Sequence, residues 1–227
     1  MDRDWIALAL ALFLSTLLFS VFPQIDTAVS GAFYGAQGFI AANNPRIELM
    51  RSMAWWLSDA MFLLALAALV VALTSRRLIF GIGRWTATYM LTLFLLGPVL
   101  LSNRLLKGHW GRARPADVTD FGGAHQFTPF WLPSDQCLSN CSFISGEVSG
   151  TAVTAICMIV LRSTVERTAG RGVAQVWTAT ALILPVVVAL QRITSGRHFL
   201  SDTVFAVLFM LVIALLLRPL LRKDDPA

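Results

Sequence analysis

Charge is what this sequence has least of. Only 14% of its 227 residues are charged, against about 25% in a typical soluble domain, while 56% are apolar. That argues against a soluble globular enzyme and excludes disordered and collagen-like chains. The loops lack clusters of several carboxylates and histidines of the kind that hold catalytic divalent ions. There is no basic stripe to suggest DNA or RNA, although the net charge is +5, and a basic membrane protein more often meets anionic lipid headgroups. Mean hydropathy is +0.69.

What is abundant is long apolar sequence. A hydrocarbon core of about 30 Å needs roughly 20 helical residues. Six stretches qualify: Trp5–Phe22, Met53–Thr74, Trp85–Leu106, Phe143–Leu161, Val173–Ile193 and Phe199–Leu217. They predict an all-α polytopic membrane protein whose residues 1–227 form one membrane-embedded domain. Met1 to Asp4 carries no net positive charge and no small-residue cleavage site follows, so the first stretch reads as a retained helix rather than a signal peptide. The linker from Pro23 to Arg51 is expected to lie along the outer surface as an amphipathic or irregular segment. Asp59, near the outer end of the second stretch, reads as an end cap, with an external arginine as the other partner open to it.

Six spans put both termini on one side. That side holds ten basic residues, including Arg76, Arg77 and Arg84, Arg162, Arg167 and Arg171, and Arg218, Arg222 and Lys223; the other side holds eight. The eight fall to five when Lys107, Arg114 and Arg192 are set aside as residues kept for chemistry. The positive-inside rule then places the termini in the cytoplasm and the loops Lys107–Ser142 and Arg192–His198 outside. Cys137 and Cys141 are four apart in the first of these loops. On an oxidising side they can close a disulfide; two free thiols is the alternative. Their spacing with His109 or His125 matches no common zinc pattern.

Three segments concentrate polar residues on that outer side. In the first, Lys107-x6-Arg114-Pro115 sets two cations to converge on one anion; alone it reads as a snorkelling cluster at a helix end. In the second, Ser142-Phe-Ile-Ser145-Gly146-Glu147 opens the fourth span, where unpaired N–H groups and a small residue admit an anion. Alone it reads as a cap, with Glu147 complementing the helix dipole. In the third, Arg192-x5-His198-x3-Asp202 puts a carboxylate one helical turn from an imidazole, able to accept from one ring nitrogen and free the other for attack. Such a pair is also a common structural contact. Together the three argue for phosphoryl chemistry, because three cations neutralise a phosphate without a metal.

These motifs, in this order and spacing, resemble the three-part signature of the type 2 phosphatidic acid phosphatase superfamily. The resemblance covers Lys107 to Asp202, and the residues Arg112 to Pro115 and Cys137 to Glu147 look most like bacterial lipid A 1-phosphatases. It implies a six-helix membrane phosphatase at the periplasmic face of the inner membrane, with no cofactor and no required protein partner. His198 would be the nucleophile that forms a phosphohistidine, oriented by Asp202. Lys107, Arg114, Ser145, Gly146 and Arg192 would hold the phosphate. Three positions depart from the pattern: Ile144 stands for proline, Gln191 for serine, and Glu147 for the histidine that serves as general acid.

The expected substrate is the 1-phosphate of lipid A, with phosphatidylglycerol phosphate, phosphatidic acid and undecaprenyl diphosphate as alternatives. A non-enzymatic lipid headgroup-binding or transport protein would use the same basic pocket but has no need of an oriented His198–Asp202 pair. Glu147 is expected to donate the proton to the leaving group. The aromatic residues of Asp117–Gln136 (Phe121, Phe127, Phe130 and Trp131) suit an interfacial lid.

Overall fold

The computed structural model describes residues 3–75 and 78–224. Arg76 and Arg77 of the charge count, and Met1 and Asp2 of the leading segment, lie outside the described residues. Among the described residues the protein is mainly helical, with an irregular stretch over 122–145 and one antiparallel hairpin of two-residue strands, β1 (Tyr34–Gly35) and β2 (Gly38–Phe39). Its helices are α1 (Arg3–Val21), α2 (Gln24–Gly31), α3 (Pro45–Thr74), α4 (Arg84–Phe94), the single turn α5 (Lys107–His109), α6 (Gly146–Val160), α7 (Arg162–Ala169), α8 (Arg171–Thr194) and α9 (Leu200–Leu217). Between α4 and α5 the chain is wound as a π-helix, Leu95–Leu106.

Five helices are long and apolar enough to cross a bilayer, and the bent pair α6 and α7, which meet at 54°, makes a sixth if it is one span. α6 has 15 residues, about 22 Å, too short to span alone. It can be short because it is the central element, packed on α3, α8, α9 and the π-helix. Its run Ser149-Gly-Thr-Ala152 is small, which lets neighbours approach closely, and hydroxyl pairs tie it sideways: Ser102 to Ser149 at 2.7 Å and Thr154 to Ser58 at 2.9 Å. The π-helix needs a glycine for the same reason. A Cβ on Gly97 would run into the Met210 sulfur.

The segment that links the first two spans, expected to be amphipathic or irregular, is built of short elements: it forms α2, the hairpin and the first turns of α3. That helix starts at Pro45, ahead of the expected Met53, because Asn44 caps it by accepting from Arg46 N at 3.0 Å and proline suits its first position. Asp59 is therefore no end cap. It lies well inside a helix of 30 residues.

The expected outer loops all meet at one end. There Arg112, 0% exposed, pairs with Asp26 of α2 at 2.8 Å and with Asp202 of α9 at 2.6 Å. Its Nε donates to the Thr128 carbonyl at 2.8 Å, and its guanidinium carbon lies 4.4 Å from the centre of the Phe199 ring and 5.4 Å from that of Phe127. Ser201 completes the knot, donating from its backbone N and from Oγ to Asp26 at 2.8 and 2.6 Å. Asp4–Arg218 at 2.7 Å and the Asp224 carboxylate on Thr86 N at 2.7 Å close the opposite end.

Removing one member of a buried ionic cluster leaves the others uncompensated. Arg112→Met should therefore lower stability by about 3–5 kcal/mol, read as a fall in Tm of the detergent-solubilised protein. A Tm within error of wild type would show that Asp26 and Asp202 do not depend on this cation.

Candidate active site

His198 sits in the turn between α8 and α9, 1% exposed, and just before the helix rather than on it. Its Nδ1 is 2.8 Å from the Ser142 carbonyl. A carbonyl oxygen only accepts, so Nδ1 carries the proton and Nε2 keeps its lone pair. The i,i+4 spacing suggests that Asp202 accepts this bond directly, but Asp202 Oδ2 is 3.7 Å from Nδ1, beyond hydrogen-bond range. Asp202 is occupied elsewhere. It sits in the first turn of α9 and accepts from Phe199 N at 2.8 Å, Ser142 Oγ at 2.5 Å and Arg112 Nη1 at 2.6 Å. Ser142 transmits its influence, since the residue that donates to Asp202 through Oγ accepts from His198 through its carbonyl. Its backbone N in turn donates to the Arg112 carbonyl at 2.8 Å.

Burial pushes the His198 imidazole down to about 4; Asp202 pulls against this, and the Lys107 and Arg192 charges add to it. The ring is therefore neutral at neutral pH.

The cations are brought together from separate elements. α5 supplies Lys107, after which the chain unwinds through Gly111 (φ 71°) to an extended Arg114. Lys107 Nζ reaches Asn140 Oδ1 at 3.5 Å and Arg114 Nη2 donates to the Asn140 carbonyl at 2.7 Å, so one residue of the following loop spaces both. Cys137 and Cys141 are placed as a disulfide in this loop, their Cα atoms 5.6 Å apart, and Cys141 N donates to the Lys107 carbonyl at 3.2 Å. Arg192, in the last turn of α8, is buried and lies within electrostatic range of Lys107, Arg114 and His198.

Ser145 caps α6, with extended backbone and Oγ accepting from Val148 N at 3.4 Å. Gly146 follows it for a steric reason. A Cβ there would lie 2.5 Å from Asn103 Oδ1 and 3.3 Å from Lys107 Nζ, so a larger residue would have to displace the Asn103 side chain beside the lysine.

Glu147 lies between two arginines. Arg51 Nη1 donates to its Oε1 at 2.8 Å. Arg192 Nε is 2.8 Å from its Oε2, an ion pair by distance whose angle misses hydrogen-bond geometry, leaving both atoms without a hydrogen bond. Arg51 is held on its other side by Glu48, one turn earlier on α3. Sequence reasoning missed Arg51, Asn103, Asn140 and the part that the chain ahead of Met53 plays at the site. The one available signal was Arg51 itself, a cation at the outer end of an apolar run.

The aromatic loop is less a lid than a second core. Phe121 and Phe130 are buried, Phe130 stacks on Phe205 at 4.4 Å and Phe127 packs on Phe199 at 5.2 Å; Trp131 remains exposed. Among the described residues, no group of three or more His, Cys, Asp or Glu converges to hold a metal ion.

Residues 85–225 match the PAP2 superfamily. A lipid A 4'-phosphatase of Rhizobium leguminosarum is 31% identical over 210 residues, covering 86% of this chain and 87% of the relative. One from Francisella tularensis subsp. novicida (strain U112) is 29% identical over 216 residues, 93% of each. The crystal structure of a transmembrane PAP2 type phosphatidylglycerolphosphate phosphatase from Bacillus subtilis shares the fold, with a TM-score of 0.63 over 99% of this chain and 98% of that one at 20% identity.

The burial of His198 has a measurable consequence. Its imidazole should stay neutral from pH 8 down to pH 5 and protonate only near 4, read from the ring 15N shifts of labelled protein. A midpoint near 6.5 would mean that the ring is solvated.

Proposed function

The chain belongs to the PAP2 superfamily, and we propose that this multi-pass membrane hydrolase removes the 4'-phosphate of lipid A through a phosphohistidine on His198. The observation that carries the chemistry is the His198–Ser142 bond, which fixes Nδ1 as donor and leaves Nε2 unprotonated on a ring within electrostatic range of Lys107 and Arg192. In the first step Nε2 attacks phosphorus, the bond from phosphorus to the sugar oxygen breaks, and that oxygen takes a proton from a water molecule, leaving hydroxide. In the second, hydroxide attacks phosphorus, the P–N bond breaks, and hydrogen phosphate leaves with the neutral imidazole restored. Lys107, Arg114 and Arg192 neutralise the phosphoryl oxygens, and the first N–H groups of α6, beside Ser145 and Gly146, add donors at a positive helix end. Side-chain cations supply the charge, so no metal is assigned a role.

The lipid A assignment rests on relatives named for it that align over 86% or more of this chain. The motifs resemble those of 1-phosphatases, whereas the relatives are named for the 4' position, which favours that position. An active site on the periplasmic side, with cytoplasmic termini, is supported by the excess of basic residues at the other end.

Phosphate release from bisphosphorylated lipid A, with product analysis by mass spectrometry, tests the reading. Loss of the 4'-phosphate is expected, and loss of the 1-phosphate alone would favour the other position. His198→Ala should lower turnover by on the order of a thousandfold or more, whereas EDTA should leave it intact. Full activity in His198→Ala would overturn the mechanism.

Glu147 takes a different role from the one expected of it. Each of its two oxygens is taken up by an arginine at 2.8 Å, so it acts as an anchor that aims Arg192. Glu147→Gln should then slow a lipid phosphate and an activated aryl phosphate alike. A large loss on the lipid with little on the aryl phosphate, which needs no acid help, would return it to the donor role.

A further inference from the structure

A carboxyl group facing the apolar part of a bilayer calls for a partner, and Asp59 is such a group. It is exposed, on the membrane-spanning part of α3, and lines a cleft of about 280 Å³ that runs between α3, the π-helix and α6 up to Gly146 and Glu147. The cleft walls are mostly apolar, and Trp55, Leu95 and Val99 on them are exposed where lipid would lie. Besides Asp59 and Glu147, the polar side chains on the walls are Ser58 and Thr151, whose hydroxyls donate to carbonyls of their own helices, and Asn103, whose Oδ1 lies close to Gly146.

Depth sets what Asp59 can meet. Its neighbour Ser58 bonds to Thr154, and Thr154 is two helical turns, about 10 Å, along α6 from Glu147. A phosphate held beside Gly146 therefore leaves Asp59 at the depth where a headgroup joins its acyl chains. A carboxyl group accepts hydrogen bonds in either protonation state, so the cleft favours a lipid with an N–H or O–H donor at that level. Amide-linked and β-hydroxylated acyl chains offer one. The ester linkages of a diacylglycerol phosphate offer none.

We propose that Asp59 is a specificity-determining residue that accepts a hydrogen bond from the amide or β-hydroxyl of an N-acylated sugar phosphate, selecting that class over ester-linked phospholipids. The inference rests on the proposed function, whose site the cleft adjoins.

The test compares an N-acylglucosamine 4-phosphate glycolipid with its analogue in which an ester replaces the amide and no β-hydroxyl is present. Wild-type protein should prefer the amide by about tenfold in kcat/KM, the scale of one hydrogen bond to a carboxylate. Asp59→Leu should reduce the amide-to-ester ratio to about one, and Asp59→Asn, which keeps an acceptor oxygen, should recover most of the preference. Using the ratio cancels any general loss of folded enzyme. A ratio unchanged in Asp59→Leu, or a wild-type ratio of one, overturns this inference and leaves the phosphatase reading standing. Turnover of neither lipid by wild-type protein that still cleaves an aryl phosphate overturns the lipid assignment and this inference with it.

Discussion

Everything at the His198 end of the bundle is arranged around one buried cation. Arg112 has no exposed surface, and a guanidinium without water must be neutralised and have its donors satisfied. It recruits Asp26 from α2, Asp202 from the last long helix and the Thr128 carbonyl from the aromatic loop, while Phe127 and Phe199 cover its faces. Segments far apart in sequence are thereby locked to a common point. Lysine would not serve, since a single ammonium cannot present a planar fork to two carboxylates.

From that point the histidine is set at second hand. Asp202 spends its lone pairs on Arg112, Ser142 Oγ and the N-terminus of α9. The imidazole is fixed by a carbonyl whose own residue is fastened at N, Oγ and O. A neutral acceptor at Nδ1 leaves the ring uncharged, and burial favours the same state. An oriented neutral imidazole with a free Nε2 is the form a nucleophile requires.

The cations obey the opposite constraint. Lys107, Arg114, Arg192 and Arg51 would repel one another without compensation. Asn140 gives two of them neutral acceptor oxygens, which a phosphate can supplement. Glu147 pairs with the other two. The same helix start then borders the cleft that leads down to Asp59.

The sequence alone determined the membrane class and five of the helices to within a few residues at most ends, and it singled out Lys107, Arg114, Ser145, Gly146, Arg192, His198 and Asp202, which lie in motifs that the structure gathers at one end of the bundle. Apolar length is a local property, and these motifs have fixed internal spacing, so both can be read without contacts. It did not determine who binds whom. The start of α3 depended on a cap at Asn44, the His198 partner on Ser142 rather than the carboxylate one turn away, and the setting of Glu147 on Arg51 from a segment that carries no motif. Those pairings are contacts between distant stretches of chain, decided when burial of Arg112 and packing around α6 draw the outer loops together, because an unsatisfied buried charge takes whichever partner the fold places beside it.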